Sequence, residues 1–275
     1  VCLFAGAQLA CSHGGEVDIA TLSSSSDQVI WEAGQKAAQK RNWEAARQHF
    51  KRIVDGFPQS EYGPAARLAL GDSYFNEGGQ ANYILAISDY RDFLTLYPSH
   101  PRSDYAQFQV GECHFKQRNG PDRDQTETQK ALEEYLKLLE FYAVSPYVER
   151  ARERIRECRH SLARAEYLAG YFYQRTRQAY RAAIVRYEHL LEEYPDYELT
   201  DEVLFRLAES LAAAGRCPEA PPMLARLAES YPNSKYLEDA AKLRAELEKT
   251  CQAGPSSGPP ATPAPTTTPT PAPKP

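Results

Sequence analysis

Cys113-His114 and Cys158 with His160 are the pairs whose residue types could do chemistry, since thiolates and imidazoles ligate zinc. Their spacing matches no standard zinc motif, so ordinary packing is the reading and no metal is expected. His49, His100 and His189 are scattered along the chain. No Gly-rich phosphate loop, no GxSxG and no HExxH occurs, and no acid–base or nucleophile set can be assembled. The chain is therefore read as a non-enzyme without a cofactor. Cys217 and Cys251 carry a different chemistry. One starts the second helix of a hairpin and the other ends the antiparallel helix that follows, so the two ends should meet. A disulfide there would close a loop of about 35 residues and restrict the unfolded chain. Cys113 and Cys158 take equivalent places on neighbouring helices. Stacked helix axes lie about 8–10 Å apart and a disulfide wants Cα atoms within about 7 Å, so that pair is left unassigned.

Those residues are positioned by a repeat. Four segments share a small residue, an aromatic or Leu four on, an apolar residue three further and Pro five beyond: Ala46/Phe50/Ile53/Pro58, Ala86/Tyr90/Phe93/Pro98, Ala183/Tyr187/Leu190/Pro195 and Ala220/Leu224/Leu227/Pro232. A fifth, Ala131/Tyr135/Leu138, has Ala143 in place of the Pro. Spacings of four and three put these side chains on one helical face. Pro then ends the helix, because it lacks the amide and biases the preceding residue away from helix. That preceding residue is aromatic: Phe57, Tyr97, Tyr194 and Tyr231, with Tyr142 in the third copy. A second apolar-periodic segment precedes each of these helices, and Gly34, Gly71 and Gly111 lie where the two helices of a hairpin approach closely. The pattern resembles the tetratricopeptide repeat. It predicts an all-α, right-handed α-solenoid of five helix-turn-helix repeats. Val148 to Arg175 reads as one long central helix of about 42 Å, with Glu149, Arg152, Glu153 and Arg156 on a solvated face. Tyr236 to Lys249 reads as a C-terminal capping helix.

The two ends differ from the middle. Residues 1–10 are uncharged and rich in small apolar residues, as in a signal-peptide remnant. Leu9-Ala10-Cys11 resembles a bacterial lipobox, which implies a covalent lipid on Cys11 and an anchor in outer-membrane lipid. Residues 11–27 then form a tether with a four-serine run. Residues 252–275 hold nine of the 20 prolines and read as a disordered Pro/Thr-rich tail. Between them, residues 28–145 hold repeats one to three, and residues 146–251 hold the long helix, repeats four and five and the cap. Lys plus Arg number 32 against 37 Asp plus Glu, which speaks against nucleic acid as a partner.

In such solenoids the first helices line the concave face. The inward stripe would include Trp31, Gln35, Leu68, Asp72, Phe75, Asn76, Tyr105, Phe108, Glu112 and Phe115, with several of them in the core. An aromatic, weakly charged groove suits an extended peptide, with Trp31, Phe75, Tyr105 and Phe108 as its contacts. The segment Leu162-Ala163, Glu166-Tyr167, Ala169, Tyr171 to Tyr173, Ala179-Tyr180, Ala182, Arg186, Glu188, Leu190 and Tyr194-Pro195-Asp196 resembles the BamD family. So do Pro98-Ser99-His100-Pro101 with Asp104-Tyr105, and Asn42-Trp43. The resemblance covers about residues 28 to 250. It implies a non-catalytic lipoprotein of the outer-membrane β-barrel assembly machinery, on the periplasmic face of the outer membrane. Its partners would be the periplasmic domains of BamA, unfolded outer-membrane proteins and other assembly lipoproteins. Arg186 matches a family arginine that touches BamA; the alternative is a local pair with Glu193 or Glu188. A different envelope adaptor, associated with Tol–Pal or the cell wall, is the competing reading, because such proteins share the Tyr-Pro-x-Ser phrase seen at Tyr231 to Ser234.

Overall fold

The computed structural model describes residues 26–251. Cys11, the signal-peptide remnant, most of the tether and the Pro/Thr tail lie outside them, as does the side chain of Cys251. Among the described residues every regular element is helical. In chain order they are α1 (Asp27–Gln39), α2 (Trp43–Gly56), α3 (Gly63–Glu77), α4 (Gln80–Leu96), α5 (Ser103–Gln117), α6 (Thr126–Phe141), α7 (Val148–Tyr171), α8 (Tyr180–Glu193), α9 (Thr200–Ala213), α10 (Ala220–Ser230) and α11 (Leu237–Cys251). No described helix is long and apolar enough to cross a membrane.

The chain folds into two compact units that divide between Leu162 and Ala163. The division falls inside α7, not before it at residues 145 and 146. The physical reason is which core each part of the helix joins. Ala151 and Cys158 are buried with Phe108, Phe115, Ala131, Tyr135 and Leu138 of the first unit. Ala163 and Tyr167 are buried with Ala183, Tyr187, Leu204 and Ala208 of the second. Consecutive helices pack on each other from α1 to α6 in the first unit and from α8 to α11 in the second. This is the helical-repeat solenoid expected from the sequence. The expected long helix is shorter: α7 ends at Tyr171, and Phe172–Thr176 wind a π-helical turn.

A glycine–ring contact joins the two helices of four repeats. A Cβ placed on Gly34 would lie 2.6 Å from Phe50 Cε1, and one on Gly71 2.7 Å from Tyr90 Cε1. The same test gives 2.6 Å from Tyr135 at Gly111 and 2.5 Å from Tyr187 at Gly170. Only a bare backbone admits the ring. Tyr90, Tyr135 and Tyr187 are thereby buried to 0% exposure, each ring contributing about 1.5–3 kcal/mol. Their hydroxyls are all satisfied, on Asp72, Glu112 and Gln174. The fifth repeat keeps the small–large pair with different residues, Ala208 and Leu224, both buried in one cluster.

Helix ends repeat as closely. Phe57, Tyr97, Tyr142, Tyr194 and Tyr231 cap the second helices with φ between −133° and −130°, and each N–H donates to the carbonyl four residues back. Tyr142 does so without a following proline, so the cap hydrogen bond suffices to set this geometry. The turns after them carry a second recurring device. Ser60 Oγ donates to Asp27 Oδ2 at 2.6 Å, Ser145 to Asp104 at 2.7 Å and Ser234 to Asp201 at 2.6 Å. Each serine oxygen also accepts the N–H two residues on, from Tyr62, Tyr147 and Tyr236. The tyrosines stack on Trp31, Phe108 and Phe205, four residues after each aspartate. Aspartate, serine and ring pair thus tie the start of a first helix to the turn that closes its own repeat.

Candidate functional site

In the first unit, α1, α2 and α3 line an open cavity of about 340 Å³ with Arg102 among its lining residues. Trp31, Trp43, Phe50 and Leu68 form apolar wall; Gln35, Gln39, Asp72 and Asn76 supply polar groups. Trp31 is held by Phe50 at 5.3 Å and stacked on Tyr62 at 5.8 Å, so its position follows from the Gly34 contact and the serine-anchored turn. The chain's two tryptophans both line this cavity.

Asp72 is the one carboxylate of the cavity wall. Its Oδ1 accepts the hydroxyls of Tyr90 at 2.7 Å and Tyr105 at 2.6 Å, and Gln109 Nε2 bridges those two oxygens at 3.4 and 3.2 Å. Burial pushes the Asp72 carboxyl above its ordinary range, against the two hydroxyls and Arg102, which pull it down. Arg102 lies over the Tyr105 ring at 4.4 Å.

The other expected peptide contacts divide. Tyr105 is half-buried and joins this network through its hydroxyl. Phe75 is half-buried against Tyr83, ring centroids 5.8 Å apart, and does not line the Trp31 cavity. Phe108 is 1% exposed, stacked on Tyr147 and packed on Tyr135. It is a core residue and has no free face for a peptide. Glu112 and Phe115 are likewise buried.

In the second unit Arg186 sits on the exposed side of α8. Its Nη1 donates to both oxygens of Glu166, at 3.3 and 3.2 Å, with His189 Nδ1 at 3.8 Å from the same carboxylate. The local partner is thus Glu166, not Glu188 or Glu193; Glu188 pairs with Arg216 at 3.5 Å. The Arg186 side chain is 46% exposed, and an ion pair so placed contributes little stability. It can be exchanged for a partner carboxylate at small cost. Val185 beside it is 61% exposed.

Cys113 and Cys158 are buried free thiols in two different clusters. Burial pushes the Cys158 thiol up to about 12 and the Cys113 thiol higher still, so neither is a nucleophile at neutral pH. Cys217 is a half-buried free thiol on the short 3-10 turn Cys217–Glu219. Its expected pairing with Cys251 remains an expectation, since the side chain of Cys251 lies outside the described residues. His114 Nδ1 lies 2.7 Å from Glu127 Oε2. Among the described residues no three His, Cys, Asp or Glu side chains gather as a metal site would require.

Sequence reasoning missed the aspartate–serine anchors and the role of Gly170. The signal was present: Ser-x-Tyr recurs at Ser60, Ser145 and Ser234, with Asp four residues before an aromatic at Asp27, Asp104 and Asp201.

Three known proteins named outer membrane protein assembly factor BamD are similar to this chain. That of Caulobacter vibrioides is 30% identical over 216 residues, which is 78% of this chain and 70% of its own. That of Vibrio cholerae is 28% identical over 179 residues, 62% of this chain and 73% of its own. That of Rickettsia prowazekii is 26% identical over 204 residues, 74% and 80%. The family profile described as "YfiO: Outer membrane lipoprotein" matches residues 23–220, and the chain belongs to that family.

Proposed function

We propose that this chain is a non-catalytic component of outer-membrane β-barrel protein assembly, acting as receptor and scaffold. The observation that carries the reading is the 30% identity over 78% of the chain to an outer membrane protein assembly factor. The first unit takes extended segments of unfolded outer-membrane proteins at the cavity between Trp31, Trp43 and Asp72. The second unit docks on the periplasmic domains of BamA through the face that carries Arg186. Other assembly lipoproteins join the same complex. A lipid on Cys11 holds the chain at the periplasmic face of the outer membrane.

Two features support this division. The first unit offers a cavity with aromatic walls and few charges, which suits side chains of an extended peptide. The second offers an exposed arginine whose local ion pair is weak and exchangeable. Affinity capture from crosslinked cells tests the reading. BamA and β-barrel clients are expected among the captured proteins; Tol proteins or wall enzymes without BamA would instead support the envelope-adaptor reading.

A further inference from the structure

Repeats two and three place a carboxylate directly after the helix-contact glycine, Asp72 after Gly71 and Glu112 after Gly111. Each accepts the hydroxyl of the ring packed on that glycine, Tyr90 for Asp72 and Tyr135 for Glu112. The two sites then diverge. Glu112 is answered by cations: Arg154 Nε at 2.7 Å on Oε1, with Arg154 and Arg150 reaching Oε2 at 3.4 and 3.5 Å. Cys113 and Cys158 fill matching places in α5 and α7, and the same register sets Gln109 where Arg154 stands and Tyr105 where Arg150 stands. Those two residues are the ones that reach the Asp72 network. They supply hydrogen bonds and no charge.

Among the described residues no cation stands at ion-pair distance from Asp72, and Arg102 is the cation that acts on it from farther away. Both hydrogen bonds of Asp72 fall on Oδ1. None of its described hydrogen bonds falls on Oδ2, and Asp72 lines the cavity. Arg102 lies over the Tyr105 ring and pulls the Asp72 carboxyl down from beyond ion-pair distance. A partly buried carboxylate that no cation meets at ion-pair distance is costly. Trp31 and Trp43, in the same cavity, are the ring types that best attract a cation.

We propose that the cavity reads a basic side chain, a lysine or arginine of an extended client segment, whose cation pairs with Asp72 Oδ2 while its methylenes lie against Trp31 and Trp43. The inference rests on the peptide-receptor reading of the first unit and names what that receptor selects. The client's cation takes the place that Arg154 fills in the next repeat.

The two tryptophans make the cavity its own reporter. The probes are acetyl-Gly-Phe-Gly-Lys-Phe-Gly-amide and its norleucine counterpart, titrated by tryptophan fluorescence and calorimetry into the full chain carrying Cys11→Ser. The lysine peptide is expected to bind at least tenfold tighter (about 1.4 kcal/mol). Asp72→Asn, which can still accept the tyrosine hydroxyls, is expected to remove that preference and to leave norleucine-peptide binding in place. Gln109→Arg, which installs the cation of the next repeat, is expected to remove the preference independently. Equal affinity of the two peptides for the Cys11→Ser chain, or equal loss of both in Asp72→Asn, would overturn the basic-residue reading and keep the receptor. Failure of both peptides to bind would overturn the receptor reading and this inference with it.

Discussion

Gly34→Ala is the sharpest test of how the repeats are held together. In an open helix this change stabilises, by about 0.8–1 kcal/mol of helix propensity. Here the new Cβ would meet Phe50 Cε1 at 2.6 Å and Cδ1 at 2.9 Å, with His49 Cβ at 3.2 Å behind them. Carbon atoms at rest sit about 3.5–4.0 Å apart, so Phe50 or the whole of α1 must give by most of an ångström. Phe50 is 2% exposed and has little room to do so. Overpacking of this kind costs about 1–3 kcal/mol. Net of propensity, Gly34→Ala is expected to destabilise by up to about 2 kcal/mol, a drop in Tm of up to about 8 °C for a chain of this size. The decisive arm is the background. On Phe50→Leu, which reproduces the Ala208/Leu224 pair of repeat five, the ring is gone and Gly34→Ala should stabilise. Urea unfolding of the four proteins measures the coupling, expected to be at least about 1 kcal/mol. If Gly34→Ala stabilises in both backgrounds, the glycine–ring contact does not set the helix spacing and the reasoning fails.

Three further outcomes follow from the polar contacts. Glu112→Gln should cost about 3 kcal/mol or more at neutral pH, because the Glu112 side chain is 3% exposed and faces Arg154. Burial pushes the Glu112 carboxyl up, but Arg154 and Tyr135 outweigh it and hold it below the ordinary carboxylate range. Its contribution is therefore complete above the unfolded value of about 4.3 and lost as pH falls through the lowered folded value; urea midpoints of Glu112→Gln and wild type should converge there. Ser145→Ala removes the anchor to Asp104 and the acceptor for the Tyr147 N–H, and should lower stability by about 1–2 kcal/mol; an unchanged urea midpoint would show that the turn holds without it. Asp72→Asn should raise the urea midpoint at neutral pH, because a carboxyl whose folded value is raised loses stability as pH rises through that value. Tyr90, Tyr105 and Arg102 are the groups that face it, and a variant no more stable than wild type would count against a strained Asp72.

Much of this architecture is legible in the residues. The periodic spacing places all five second helices, and an aromatic-Pro phrase marks the end of four of them, because a helical face and a proline stop are local properties. Gly71 and Gly111 are legible as close-approach points for the same reason. Gly170 reads only as an interruption of a long helix, since nothing local shows that Tyr187 fills the space beside it. Periodicity also fails on α5, where every residue from Ala106 to Phe115 is buried. A helix sandwiched between α4 and α6 has no solvent face to mark, so Phe108 passes for a groove residue when it is core. Trp31 does line a cavity, and its place is legible because α1 has one packed side. The contrast between Asp72 and Glu112 needs the register between neighbouring repeats, which brings Gln109 to one and Arg154 to the other. No single segment carries it.

Docking on the barrel-assembly protein through the second unit is the proposal on which the assembly role turns. Its most direct test is calorimetric titration of soluble residues 12–275 with the periplasmic domains of the same organism's BamA, for wild type and Arg186→Glu. Micromolar or tighter binding is expected, weakened at least tenfold by the substitution, about 1.4 kcal/mol. Binding that ignores the substitution would move the interface away from α8. A folded, helical protein that does not bind at all would rule out docking on BamA.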